Sequence, residues 1–229
     1  MKRHIGRAYK GSQLHLQDMV NGQPQQLNRL ILSNSPSLHW YAAANPEWVS
    51  PLAKDDYMEY QDRRFLAAVG LHELSTKLAD FWPRGGPVWD ALATVRGKDG
   101  SHGVIVLEAK SHVPELSGSG YACGAKGKSL EKITASMNAV KQALGVKPEV
   151  DWLGDYYQYA NRVAHLYFLN VVANIPTWMV FLYFVGDVEQ QGPMTTDEWT
   201  PALALLRSQV GLPRHHLLDE RLLSVFAPA

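Results

Sequence analysis

Residues 177–185, Thr-Trp-Met-Val-Phe-Leu-Tyr-Phe-Val, are apolar on both of the faces that alternate along a strand. A strand that must hide both faces belongs in the middle of a sheet with helices on either side. The run Val104-Ile-Val-Leu-Glu108-Ala-Lys110 begins in the same way and ends in charge. Glu108 and Lys110 project from one face there, and a buried charge costs several kcal/mol unless it is paired or bound to a metal. Upstream stands Val88-Trp89-Asp90-Ala91, a second strand carrying an acid.

The remaining chain supplies the helices. Residues 12–33 read as helical with a break at Asn21-Gly22-Gln23-Pro24, and Pro36, Pro46 and Pro51 punctuate a loop rich in tryptophan and tyrosine. Residues 1–58 therefore read as a helical and loop extension packed on a core of residues 59–229. In residues 62–82 the apolar positions Ala67, Leu71, Leu74, Leu78 and Phe81 follow helical spacing up to Pro83, with Glu73 beside the stripe. Strands over 88–96 and 103–110 are joined through Gly97-Lys-Asp-Gly-Ser-His-Gly103. Further helices are expected over 129–144, with Ser129 as N-cap, over 152–172 and over 196–209, and a last strand over 221–226. The order helix, hairpin, helix, helix, strand, helix, strand implies one α/β domain with a mixed central sheet flanked by helices.

Hairpin register decides what Asp90 faces. A two-residue Asp99-Gly100 turn sets it opposite Ala109, whereas an odd-length loop centred on Gly100, or one bulge, sets it opposite Lys110 with Glu108 diagonal. Only the odd register gathers the three charges.

Composition narrows the partners. The 22 basic and 22 acidic residues cancel, so a polyanion would have to be met by a local patch. The single cysteine excludes an internal disulfide and a multi-thiolate zinc site within one chain. With no apolar run after the basic residues 2–7, a cytoplasmic protein is expected. The most apolar stretch, 163–186, is interrupted by His165, Asn170, Asn174 and Pro176, so no membrane span and no membrane partner are expected.

Phosphodiester cleavage needs a metal to neutralise charge developing on phosphate, carboxylates to hold it, and a group that positions or activates water. Asp90, Glu108 and Lys110 are residues of those types. Magnesium, or manganese in its place, takes oxygen ligands and keeps several waters, so Asp90, Glu108 and the backbone carbonyl of Ala109 would suffice. Asp90, followed across a hairpin by Glu108-Ala-Lys110 and preceded by a helix with Glu73, resembles the PD-(D/E)XK nuclease superfamily, with its restriction-endonuclease-like fold. The resemblance covers residues 60–145 in the order of elements. It implies that Asp90 and Glu108 bind magnesium, that Lys110 helps activate water, and that Glu73 joins the site. Trp89 stands where the superfamily name has proline.

Other groups complete the expectations. Gln158, Asn161, Arg162 and His165 share one helix face, and Gln158 with Arg162 is similar to the Gln-x-x-x-Tyr pattern of RecB-type nucleases apart from its last residue. Gln158 and Arg162, with Lys126 and Lys128 in the glycine-rich loop, are candidate nucleic-acid contacts, DNA in first place. The neutral charge balance favours an alternative, a nuclease-fold binding or scaffold protein whose charges form a buried ion pair. A third reading, a P-loop nucleotide hydrolase, rests on Ala122-Cys-Gly-Ala-Lys-Gly-Lys-Ser129. Oligomeric state is not legible, and a homodimer is left open.

Overall fold

A computed structural model describes residues 6–118, 120 and 122–229. Among them five strands form one mixed sheet in the order β1-β2-β3-β4-β5: β1 Glu47–Ser50, β2 Ala91–Arg96, β3 His102–Lys110, β4 Thr177–Val185 and β5 Leu222–Pro228. The first three strands are antiparallel neighbours, and β3, β4 and β5 run parallel. The architecture is therefore α/β with a mixed sheet, as the two-sided apolar strand requires. Every residue of β4 from Thr177 to Phe184 is buried.

Alternation divides the core into two layers. Leu92, Val104, Val106, Met179, Phe181 and Tyr183 face one cluster, while Ala93, Ile105, Leu107, Val180 and Leu182 face the other. The first cluster is covered by α4 Asp62–Ala68, α5 Ser75–Phe81, α6 Gly127–Leu144, α7 Tyr157–Tyr167 and α8 Thr196–Val210. The second is covered by α1 Gly11–Gly22, α2 Pro24–Ser33 and α3 Pro36–Tyr41. Each of β3 and β4 thus buries both faces in different helical layers, which is why β4 carries no polar stripe and β3 turns polar only at its two ends.

Four local expectations are corrected. The N-terminal extension is not only helix and loop, because Glu47–Ser50 forms the edge strand β1. The helix expected over 62–82 is two helices, interrupted where Gly70 takes a φ of +77° and a 3-10 turn, His72–Leu74, follows. The expected 152–172 helix is α7, continued by a π turn over Phe168–Val172. Ser129 does not cap α6, which begins at Gly127 with Lys126 as its N-cap residue and no side-chain cap.

The β2–β3 hairpin positions the site. Gly97 N donates to Ser101 O at 2.8 Å, closing a three-residue loop of Lys98, Asp99 and Gly100. Gly100 has a φ of +83°, the left-handed position such loops reserve for glycine. The odd loop places Ala91 opposite Leu107, so Asp90 lies one step beyond the last pair, level with Glu108. The loop is odd as the gathered site needs, but centred on Asp99 rather than Gly100, and Lys110 becomes the diagonal neighbour.

Candidate active site

Asp90, Glu108 and Lys110 meet at a notch where β2 has ended and β3 continues. Val104 N donates to Pro176 O beside β4, so even-numbered residues of β3 turn their backbone groups toward β4 and odd-numbered ones toward β2. With β2 beginning only at Ala91, the backbone of Ala109 has no strand partner on that side. Asp90 fills the vacancy: its Oδ2 accepts from Ala109 N at 2.8 Å. The Ala109 carbonyl, on the same residue of the strand, turns to the same side.

Two neighbouring contacts fix the approach of Asp90. Trp89 N donates to Tyr60 O at 3.0 Å in an isolated antiparallel bridge, and Asp62 accepts from the amides of Gly85 and Gly86 at 3.0 and 2.9 Å. The Tyr60–Trp89 bridge also brings in Glu59, a buried acid absent from the expected set. Gln13 of α1 donates to Glu59 Oε1 at 2.8 Å. Nothing in the local sequence around Glu59 marks it, since the bridge to Trp89, a contact distant in sequence, carries it toward Asp90.

Glu108 is held from two sides. Lys110 Nζ donates to Oε1 at 2.7 Å, and Arg162 donates from Nε and Nη2 to Oε2 at 3.0 and 2.8 Å. The three residues are only 2%, 7% and 6% exposed, so the pairing takes place out of water. Arg162 is itself held by Asn161 Oδ1 at 2.9 Å and by the carbonyl of Val88, two residues before Asp90.

The electrostatics follow from this packing. Burial, then the negative charges of Glu108 and Glu59, push the Asp90 carboxyl well above its ordinary range, against the pull of Lys110 and the Ala109 amide. Burial would also raise Glu108, but Arg162 and Lys110 outweigh it and hold Glu108 below the ordinary value. Burial would lower Lys110, and Glu108 and Asp90 reverse this, so its amine is an ammonium at neutral pH.

The other expected site residues separate. Glu73 is not brought to the cluster: it lies on the His72–Leu74 turn with its side chain 56% exposed, and the His72 imidazole lies 3.7 Å from it. The turn replaces the continuous helix that would have aimed it inward. Arg162 is not on a solvated face, since α7 buries Asn161, Arg162 and His165, and its guanidinium is spent on Glu108. Gln158 lines a narrow crevice beside Lys110 with Leu116, Tyr159, Phe181 and Tyr183. Lys126 and Lys128 are exposed at the start of α6. The regular element before their loop is a 3-10 turn, Val113–Leu116, so the strand that feeds a P-loop is missing from the described residues there.

His165 gives a measurable consequence of the burial. Its Nδ1 donates to Asn161 O at 2.8 Å, its ring meets Trp82 edge-on, and burial lowers its pKa from 6.5 to about 4. An unfolded chain therefore takes up a proton below pH 6.5 that the folded chain refuses until about pH 4. The stability tied to His165 is fully present above pH 6.5 and is lost as pH falls toward 4, on the order of 3 kcal/mol in all. Urea midpoints measured across this range should fall more steeply for the native protein than for His165→Leu.

All the donors available to an ion at the notch are oxygens, two carboxylates and one carbonyl, and a donor set of that chemistry suits a hard cation that keeps several waters. Among the described residues no group of three or more His, Cys, Asp or Glu side chains converges on a metal position, so an ion held here would take most of its shell from water. A groove of about 520 Å³ opens at the far end of the sheet, near Glu47, Arg96 and His102, away from this chemistry. No helix among the described residues is long and apolar enough to cross a membrane. No family model, no curated protein and no solved structure matches this chain.

Proposed function

We propose that the notch is a magnesium or manganese site for hydrolysing phosphodiester bonds of nucleic acid, with DNA as the first substrate to test. The carrying observation is the hydrogen bond from Ala109 N to Asp90, which seats the acid of one strand between Glu108 and Lys110 of the next. Asp90, Glu108 and the Ala109 carbonyl would hold the ion, in keeping with the resemblance to PD-(D/E)XK nucleases. When bound, the ion supplies charge neutralisation at phosphate and lowers the pKa of water. Lys110 contributes as an ammonium, which orients water and stabilises negative charge rather than accepting a proton. Glu59 adds negative charge beside Asp90.

Cleavage of plasmid DNA should require magnesium or manganese, stop with chelator, and be absent in Asp90→Ala while the circular dichroism spectrum stays native. Cleavage that survives both chelator and Asp90→Ala would overturn the assignment.

A second reading, a nuclease-fold binding or scaffold protein, is favoured by one observation: both oxygens of Glu108 are already taken by Lys110 and Arg162. Calorimetric titration with manganese separates the two readings, because a permanently neutralised pair takes up no ion.

A further inference from the structure

The expected partners of Glu108 were a metal and Lys110. Arg162 is an additional one, and its position has a consequence for how the site loads. Its guanidinium reaches Glu108 Oε2 through two donors, while Asn161 and the Val88 carbonyl fix its orientation. Lys110 occupies Oε1. Glu108 is thus enclosed by two cations at 2.7 and 2.8 Å, and a divalent ion approaching it alone meets both.

A phosphodiester changes that balance. It brings one negative charge and acceptor oxygens suited to the planar fork of an arginine and to an ammonium. Donors turned toward phosphate release Glu108, and the added negative charge offsets the incoming ion. Phosphate without metal would meet Asp90, Glu108 and Glu59, so each ligand lowers the electrostatic barrier to the other.

Resting on the metal-site reading, we infer that Arg162 is an internal counter-cation that makes metal binding and nucleic-acid binding mutually dependent. Coupling between two ligands is reciprocal and commonly amounts to 5- to 150-fold, so a change of about tenfold is expected. Arg162 is a positioning residue here, acting through Glu108.

The test is titration of the full chain with Mn2+, with and without a phosphorothioate DNA duplex that resists cleavage. Binding is read as quenching of tryptophan emission, with Trp89 about 6.0 Å from the Arg162 guanidinium, and Asp90→Ala supplies the background. The expected result is Asp90-dependent binding about tenfold tighter with DNA. Arg162→Gln should bind Mn2+ more tightly without DNA and lose most of the coupling. Equal affinity with and without DNA in the native chain overturns the inference and leaves the metal site standing, whether or not Arg162→Gln folds. An Arg162→Gln protein that folds without gaining Mn2+ affinity overturns the role of Arg162. Absence of Asp90-dependent binding in every state overturns the metal-site reading itself.

Discussion

Glu108→Gln is expected to lower folding stability by about 3–5 kcal/mol, the range for removing one partner of a buried ion pair. The substitution keeps shape and volume, so cavity formation contributes little. Its cost arises because Lys110 and Arg162, 7% and 6% exposed, lose the one carboxylate that both contact. Arg162 stays charged wherever it sits, so it must remain buried without a counter-ion or withdraw and disrupt α7. Urea unfolding at pH 7 should show a large drop in midpoint with the slope unchanged. A loss under about 1 kcal/mol would mean that Glu108 is far better solvated than its 2% exposure implies. Glu73→Gln, at an exposed turn, should leave the midpoint in place.

Lys110→Ala should reduce metal-dependent DNA cleavage by about 10²- to 10³-fold, the usual span for removing one donor that stabilises negative charge in the transition state. The effect on stability should be smaller than for Glu108→Gln, because Glu108 keeps both hydrogen bonds from Arg162. That difference separates the two sides of the pair: one substitution mainly harms folding and the other mainly harms chemistry. Single-turnover cleavage at saturating DNA, beside urea unfolding of the same preparations, measures both. Cleavage by Lys110→Ala within a few-fold of the native rate would remove Lys110 from the chemistry.

Much of the layered fold was legible because burial leaves a periodic trace. Residues 177–185 are apolar at every position that faces a helical layer, and only a central strand makes that demand. Asp90, Glu108 and Lys110 stood out for the converse reason, since charges at the ends of apolar strands are costly. The edge strand β1 left almost no trace: it is four residues long, two of them only half buried, within a proline-punctuated segment. Glu73 misled because helical spacing ran through Gly70, while the backbone used that glycine to end α4.

Contacts between segments distant in sequence lay outside such reading. Arg162 is 54 residues from Glu108, and its neighbours Asn161 and Gln158 resemble an ordinary polar helix face. Burial of that face follows from how α7 lies on the sheet, which no local periodicity specifies. Glu59 is carried toward Asp90 by the Tyr60–Trp89 bridge.

The chain alone therefore determined the four strands β2 to β5, the helical cover of the sheet and the chemical types available, because alternation and the cost of buried charge act within a few residues. The tertiary structure decided the register that sets Asp90 level with Glu108, the exclusion of Glu73, and the two cations that share Glu108. Those depend on where a three-residue loop turns and how one helix crosses the sheet, and such choices are settled by packing summed over the whole core.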